Sequence, residues 1–158
     1  MKICKIAGKA IMMFIFSMAV CHLPAQVLNP VKWDFSVKKI SKTESELVFT
    51  ATMEKGWHLY SQFVPEGGPI PTSFKIDKGM GFFTVGNVTE PKPIEVMDKN
   101  FDMVVKYFSE TAVFRQKVRV ASDKPVEVKG IVEYMCCDDE RCLPPTEEPF
   151  SFKLPASK

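Results

Sequence analysis

Histidine is scarce in this chain of 158 residues, which carries only His22 and His58. Charge of one sign is lacking too, with 21 Lys and Arg against 19 Asp and Glu. Three of the basic residues, Lys2, Lys5 and Lys9, lie in residues 1–25, which hold no Asp or Glu. Past residue 25 the balance is 18 basic to 19 acidic residues, so a basic groove for nucleic acid is excluded as a default reading. After residue 26 there is no apolar run long enough to span a bilayer and no sustained 3.6-residue apolar stripe. Internal repeats, low-complexity tracts and long linkers are also missing. What is present, 46% hydrophobic and 25% charged residues, is an ordinary globular composition of a length that suits one domain.

The N-terminus reads as an export signal. Met1–Lys9 is short and basic, Ala10–Val20 is apolar, and Leu23-Pro24-Ala25 precedes Gln26. The apolar run suits a signal-peptide core and is too short for a membrane helix, which needs about 20 residues. Ala25 supplies the small residue before a cut, giving a signal peptide over residues 1–25 and a mature domain over 26–158. Cys21 raises the alternative of a lipoprotein signal, against which the bulky Val20 before it argues. The mature chain is expected to be a soluble protein in an oxidising, exported compartment.

In that compartment the cysteines become informative. Of five, Cys4 and Cys21 fall in the leader, and Cys136, Cys137 and Cys142 crowd into one short segment. A stapled exported scaffold spreads an even number of cysteines to join distant segments. This cluster reads as a site.

Elsewhere the apolar pattern has period 2, the signature of strands. Val31, Trp33, Phe35 and Val37 alternate with Lys32, Asp34 and Ser36, and Leu47, Phe49, Ala51 and Met53 share a face in Glu46–Met53. Further strands are expected at Thr72–Ile76, Gly81–Val85, Val104–Phe108, Ala112–Val120, Val126–Met135 and Pro149–Leu154. Turn signals separate them, among them Glu54-Lys55-Gly56, Pro65-Glu66-Gly67-Gly68-Pro69 and Asp77-Lys78-Gly79. Short strands at this spacing predict an all-β, immunoglobulin-like sandwich in a single domain. Pro91–Met103 is the longest stretch of weak pattern and reads as a functional loop.

The cluster itself runs Tyr134-Met135-Cys136-Cys137-Asp138-Asp139-Glu140-Arg141-Cys142-Leu143-Pro144-Pro145. The strand before it places Val126, Val128, Val132 and Tyr134 on one face. One further step gives that face Cys136 and turns Cys137 to the other, which favours Cys137 as the partner of Cys142 across a four-residue turn. Pairing of Cys136 with Cys142 stays open as the alternative. Both prolines remove an N–H, so the exit from the turn is stiff and stays out of the ladder. Asp138, Asp139 and Glu140 disfavour a nearby thiolate, which favours the disulfide and makes the dithiol a better electron donor. Three other chemistries compete. A purely structural disulfide would normally tie two sheets together rather than close a short loop. A zinc site of the three Cys with His58 lacks the usual ligand spacing. A Cys–His hydrolase would need an oxyanion loop that the sequence does not show.

Two segments together carry a resemblance. Gly56-Trp57-His58-Leu59-Tyr60 and Val132-Glu133-Tyr134 through Cys137, followed by Cys142-Leu143-Pro144-Pro145, make the chain similar to the N-terminal periplasmic domain of DsbD, the transmembrane thiol-disulfide reductase. The likeness extends over nearly all of residues 27–155. It implies an immunoglobulin-like fold in the periplasm with Cys137 and Cys142 as the redox pair, Cys142 forming the intermolecular mixed disulfides. It further implies a thioredoxin-like electron donor and a membrane electron transporter of the DsbD or CcdA type. The acceptor would be an oxidised periplasmic disulfide isomerase or reductase. No cofactor beyond the cysteine pair, no metal and a monomeric chain are expected.

By the same resemblance Asp98-Lys99-Asn100-Phe101 corresponds to the family's cap loop, with Phe101 as the lid. Some relatives carry acidic residues where this chain has Lys99 and Asn100, which leaves Asp98 as a displaced carboxylate. Trp57, His58 and Tyr60 match the aromatic segment lining the site, although core packing is an alternative for Trp57 and a simple hydrogen-bonded role for His58. Cys136 is a third thiol that is either a buried apolar residue or an alternate partner of Cys142. The family's longer members continue into membrane spans and a thioredoxin-like domain, so this chain is expected to act as a stand-alone module or to be a truncated one. The rival function is an immunoglobulin-like interaction domain whose disulfide is structural.

Overall fold

A computed structural model describes residues 28–157 of the chain. The expected signal peptide, its cleavage after Ala25, and Cys4 and Cys21 lie outside the described residues.

Alternation of small-interval apolar residues becomes strand throughout. The elements are β1 (Val31–Lys39), β2 (Glu44–Met53), β3 (His58–Tyr60), β4 (Ser73–Ile76), β5 (Phe82–Thr89) and β6 (Ile94–Asp98). They continue as β7 (Met103–Ser109), β8 (Thr111–Val120), β9 (Val126–Tyr134), β10 (Cys136–Cys137) and β11 (Thr146–Leu154). Every pairing between them is antiparallel. Three sheets result, in the orders β1-β2-β8-β5, β10-β3-β7-β6 and β11-β9-β4.

One core receives residues from all three. On β2 the side chains of Ser45, Leu47, Phe49, Ala51 and Met53 are buried, and on β8 those of Ala112, Phe114, Gln116, Val118 and Val120. Phe49 and Phe114 face each other in register. Across the sandwich they meet Phe74, Phe150 and Phe152, with the Phe49–Phe74 centroids 4.7 Å apart and Phe150 and Phe152 each edge-on to Phe49 at 5.0 Å. Such pairs add about 0.5–1.5 kcal/mol each to the burial itself. The architecture is the expected all-β, immunoglobulin-like sandwich.

Three local differences from the sequence reading have physical causes. Gly81–Val85 extends to Thr89 because a bulge carries β5 past Gly86, whose φ of +68° a side chain would resist. The buried Gln116 holds that bulge by donating from Nε2 to the carbonyls of Val85 and Gly86. β3 is too short to show a pattern. Pro91–Met103 is a strand and a turn rather than a long loop, since Ile94–Asp98 pairs with Met103–Tyr107. β6 is an exposed edge strand, so its sequence lacks the contrast that burial of one face imposes.

Candidate redox site

β9 delivers Val128, Val132 and Tyr134 to the interior, and at Met135 the chain crosses from the β9 sheet to the β3 sheet. There Cys136 lies opposite Leu59 and Cys137 opposite His58. Paired residues share a face, so successive cysteines part company. Cys136 joins Leu59 in the main core, 3% exposed and unpaired. Its thiol is pushed up to about 11, first by burial and then by Asp138. Cys137 turns to the outer face, into a second cluster with Tyr60 and Val105.

The chain then reverses on itself. Asp138 N donates to Arg141 O and Leu143 N donates to Cys136 O, both at 2.9 Å. These two bonds flank Cys137 and Cys142, making them a directly opposed pair of the kind that exchanges no backbone hydrogen bond. In such pairs side chains approach most closely. Their Cα atoms are 4.0 Å apart and their sulfurs are joined in a disulfide.

The acidic turn builds this reversal. Asp138 Oδ1 accepts from the backbone N–H groups of Glu140 and Arg141 at 2.9 and 2.8 Å, and Oδ2 lies 3.4 Å from Arg141 Nε. These donors hold its carboxyl below the usual carboxylate range, the Glu140 N–H most of all. The Asp139 side chain is 94% exposed and lies 3.9 Å from His58 Nε2. Asp138 thus serves its own turn as well as bearing on the Cys136 thiol, while Asp139 faces His58. Pro144 and Pro145 sit between this turn and Thr146, which opens β11 opposite Tyr134.

Over the outer face folds the β6–β7 hairpin. Its turn, Lys99 to Asp102, ends in the left-handed region at Asp102, φ +52°. Asp98 organises it, accepting Asn100 N on Oδ1 and the Tyr60 hydroxyl on Oδ2, both at 2.8 Å. Burial, then this bond to Asp98, drives the Tyr60 hydroxyl well above its ordinary pKa. Asn100 Nδ2 donates to the Asp138 carbonyl at 3.3 Å, tying the cap turn to the cysteine turn. Phe101 stands edge-on to Tyr60 at 6.0 Å and packs against the cluster of Tyr60, Val105 and Cys137, as half-buried Cys142 does.

The aromatic segment divides between two places. Tyr60 lies at the site. Trp57 belongs to the main core, and the Arg141 guanidinium lies 5.8 Å over its ring. His58 stacks on Tyr107 at 4.2 Å and its Nδ1 hydrogen-bonds Ser109 Oγ at 3.0 Å. His58 and Tyr107, with Val96 and Asp138, line a cleft of about 160 Å³ between the hairpin and the cysteine turn. Sequence reasoning missed Val105, Tyr107, Ser109 and Met103, whose only signal is their place on a strand that pairs with His58–Tyr60. The zinc arrangement is not assembled, because two of its sulfurs are bonded to each other and Cys136 points into the opposite face.

Comparison with known structures gives the same fold. The N-terminal domain of DsbD from Neisseria meningitidis, in its reduced form, superposes with a TM-score of 0.52 at 16% identity, over 78% of this chain and 86% of that one. The N-terminal periplasmic domain of ScsB from Proteus mirabilis gives 0.57 at 16% identity, over 81% of this chain and 47% of that one. A complex of the Neisseria meningitidis DsbD and PilB N-terminal domains gives 0.52 at 15% identity, over 80% of this chain and 87% of that one. Comparison with curated protein sequences finds no match. The family described as "Thiol:disulfide interchange protein DsbD, N-terminal" matches residues 25–154, and the chain, a thiol-disulfide interchange module with a cysteine pair, belongs to it.

Proposed function

We propose that the protein is a periplasmic component of a protein-disulfide reductase system, carrying two electrons at a time on Cys137 and Cys142. The single observation that carries this reading is the disulfide itself. It closes a short turn beside the β6–β7 hairpin instead of bridging the sheets of the core. In the reduced state the Cys142 thiolate attacks a partner disulfide, forming a mixed disulfide and releasing one partner thiolate. The Cys137 thiolate then attacks Cys142, so the partner leaves as a dithiol and the Cys137–Cys142 bond is restored. The exposure of the two residues supports this order, since Cys137 is 1% exposed and Cys142 is half-buried.

Electrons arrive by the reverse exchange from a thioredoxin-like donor, itself served by a membrane transporter of the DsbD or CcdA type. They leave to oxidised periplasmic isomerases or reductases. A DsbD N-terminal domain of this fold forms a complex with a PilB N-terminal domain, which supports a folded protein as the exchange partner. The chain works as a monomer without a cofactor other than its cysteines.

The test is the equilibrium reduction potential together with a trapping variant. An exchange site falls at roughly −180 to −270 mV, whereas a structural disulfide lies below about −300 mV. Cys137→Ser, which removes the resolving thiol, accumulates a mixed disulfide with the partner through Cys142. A potential below that range with no trapped species would return the protein to the class of interaction domains.

A further inference from the structure

A segment with no role so far stands against the same cluster as the cap. Residues 61–72 join β3 to β4, and within them Val64 packs against Tyr60, Val105 and Cys137. The segment leaves and returns at one point. Thr72 N donates to Ser61 O at 3.3 Å, and Thr72 Oγ1 donates to the Tyr60 carbonyl at 2.6 Å. Ends this close define a compact loop packed by its own side chains.

A carboxylate pins the neck of the loop. Glu90, just past β5, accepts Ser61 Oγ on Oε1 at 2.6 Å. Its Oε2 accepts Gln62 N at 2.9 Å and Gln62 Nε2 at 3.3 Å. These three donors are neutral, so Glu90 serves as a fixed acceptor from a neighbouring sheet. Ser61 is fully buried, which makes this anchorage costly to leave unsatisfied.

Midway along, Gly68 lets the loop lie flat. A Cβ there would stand 2.9 Å from Val64 Cγ1, 3.1 Å from the Pro65 carbonyl and 3.2 Å from Met103 Sδ. Met103 follows the cap turn directly, so the loop touches the base of the cap as well as the cluster beneath it.

We infer that residues 62–71 form a second cover over the Cys137–Cys142 disulfide, with Glu90 and Val64 as positioning residues for exchange. The inference rests on the exchange function proposed above. An attacking thiolate must reach one sulfur along the S–S axis. Phe101 alone restricts that approach from the cap. Val64 closes a further side, and Glu90 keeps it there.

The experiment uses the full oxidised protein with dithiothreitol as the probe. Stopped-flow reduction is measured for wild type, Val64→Ala, Gly68→Val, Glu90→Ala and Glu90→Gln, with Phe101→Ala as the cap reference. Equilibrium against the dithiothreitol couple and urea unfolding are measured on the same samples. Val64→Ala and Gly68→Val are expected to react about tenfold faster, equivalent to about 1.4 kcal/mol off the barrier. Their equilibrium constants stay unchanged, since access alters both directions equally. Glu90→Ala moves the same way, and Glu90→Gln, which keeps one acceptor oxygen, is partly rescued. If Gly68→Val fails to fold, Val64→Ala decides. Wild-type rates in Val64→Ala alongside acceleration in Phe101→Ala overturn the second cover and leave the exchange function standing. A rate gain matched by an equal shift in equilibrium constant overturns it too, because the loop would then be tuning the bond. A disulfide that none of the variants lets equilibrate with dithiothreitol defeats the exchange function instead.

Discussion

At the scale of single residues, two neighbouring thiols acquire opposite properties. Cys136 and Cys137 differ by one step on a strand, and that step is the difference between the main core and the site face. The thiolate is the reactive form, and burial raises the Cys136 thiol to about 11. In the oxidised folded protein iodoacetamide at about pH 8 should therefore leave Cys136 unlabelled until denaturant is added. Rapid labelling in the native state, read by mass spectrometry, would remove Cys136 from the core. Asp138 supplies a second test, through pH. Its carboxyl lies lower in the folded state than in the unfolded chain, where it titrates near 3.9. The stability this provides is present above that unfolded value and is lost as pH falls through the folded one. Asp138→Asn retains the turn's side-chain acceptor and loses the charge. Its urea midpoint should lie below wild type at about pH 6, and the two should converge towards about pH 2. A gap that stays constant over this range contradicts the assignment.

At the scale of elements, the β6–β7 hairpin lies against the cluster that holds Cys137. Its tip is held by three bonds, Asp98 to Asn100 N, Asp98 to the Tyr60 hydroxyl, and Asn100 to the Asp138 carbonyl. Phe101 packs against the cluster while remaining only half-buried. Phe101→Ala should speed reduction of the disulfide by glutathione with little change in reduction potential. Stability should fall by less than the roughly 3–5 kcal/mol of a fully buried Phe truncation. Unchanged kinetics with a core-sized stability loss would make Phe101 a packing residue. The sequence showed Phe101 and Asp98 through a family likeness, but not the strand that carries them. Ile94 and Val96 alternate with Glu95, and Met97 then breaks the pattern on a strand exposed on both sides.

At the scale of the whole molecule, fold and site are separable. The aromatic core is assembled from strands distant in sequence, whereas the disulfide spans a separation of five residues. Closing so short a loop restricts the unfolded chain by roughly 2 kcal/mol. Changing Cys137 and Cys142 together to Ser should therefore leave a single cooperative urea transition with a loss of about that size. Collapse of the strand-rich circular dichroism in this variant would mean that the bond holds the fold.

The period-2 alternation in β1, β2, β8 and β9 was enough by itself to determine an all-β sandwich, because burying one face of a strand forces that pattern on its sequence. It also determined on which side of β10 each of Cys136 and Cys137 falls, since that follows from counting along one strand. Only the tertiary structure decided what surrounds the sulfurs. Asp138 bonds within its own turn, Trp57 goes to the core while Tyr60 joins the cluster of Cys137, and Val64 reaches that cluster from a loop far away in the chain. These are contacts between segments that carry no mutual signal in sequence, and packing alone brings them together.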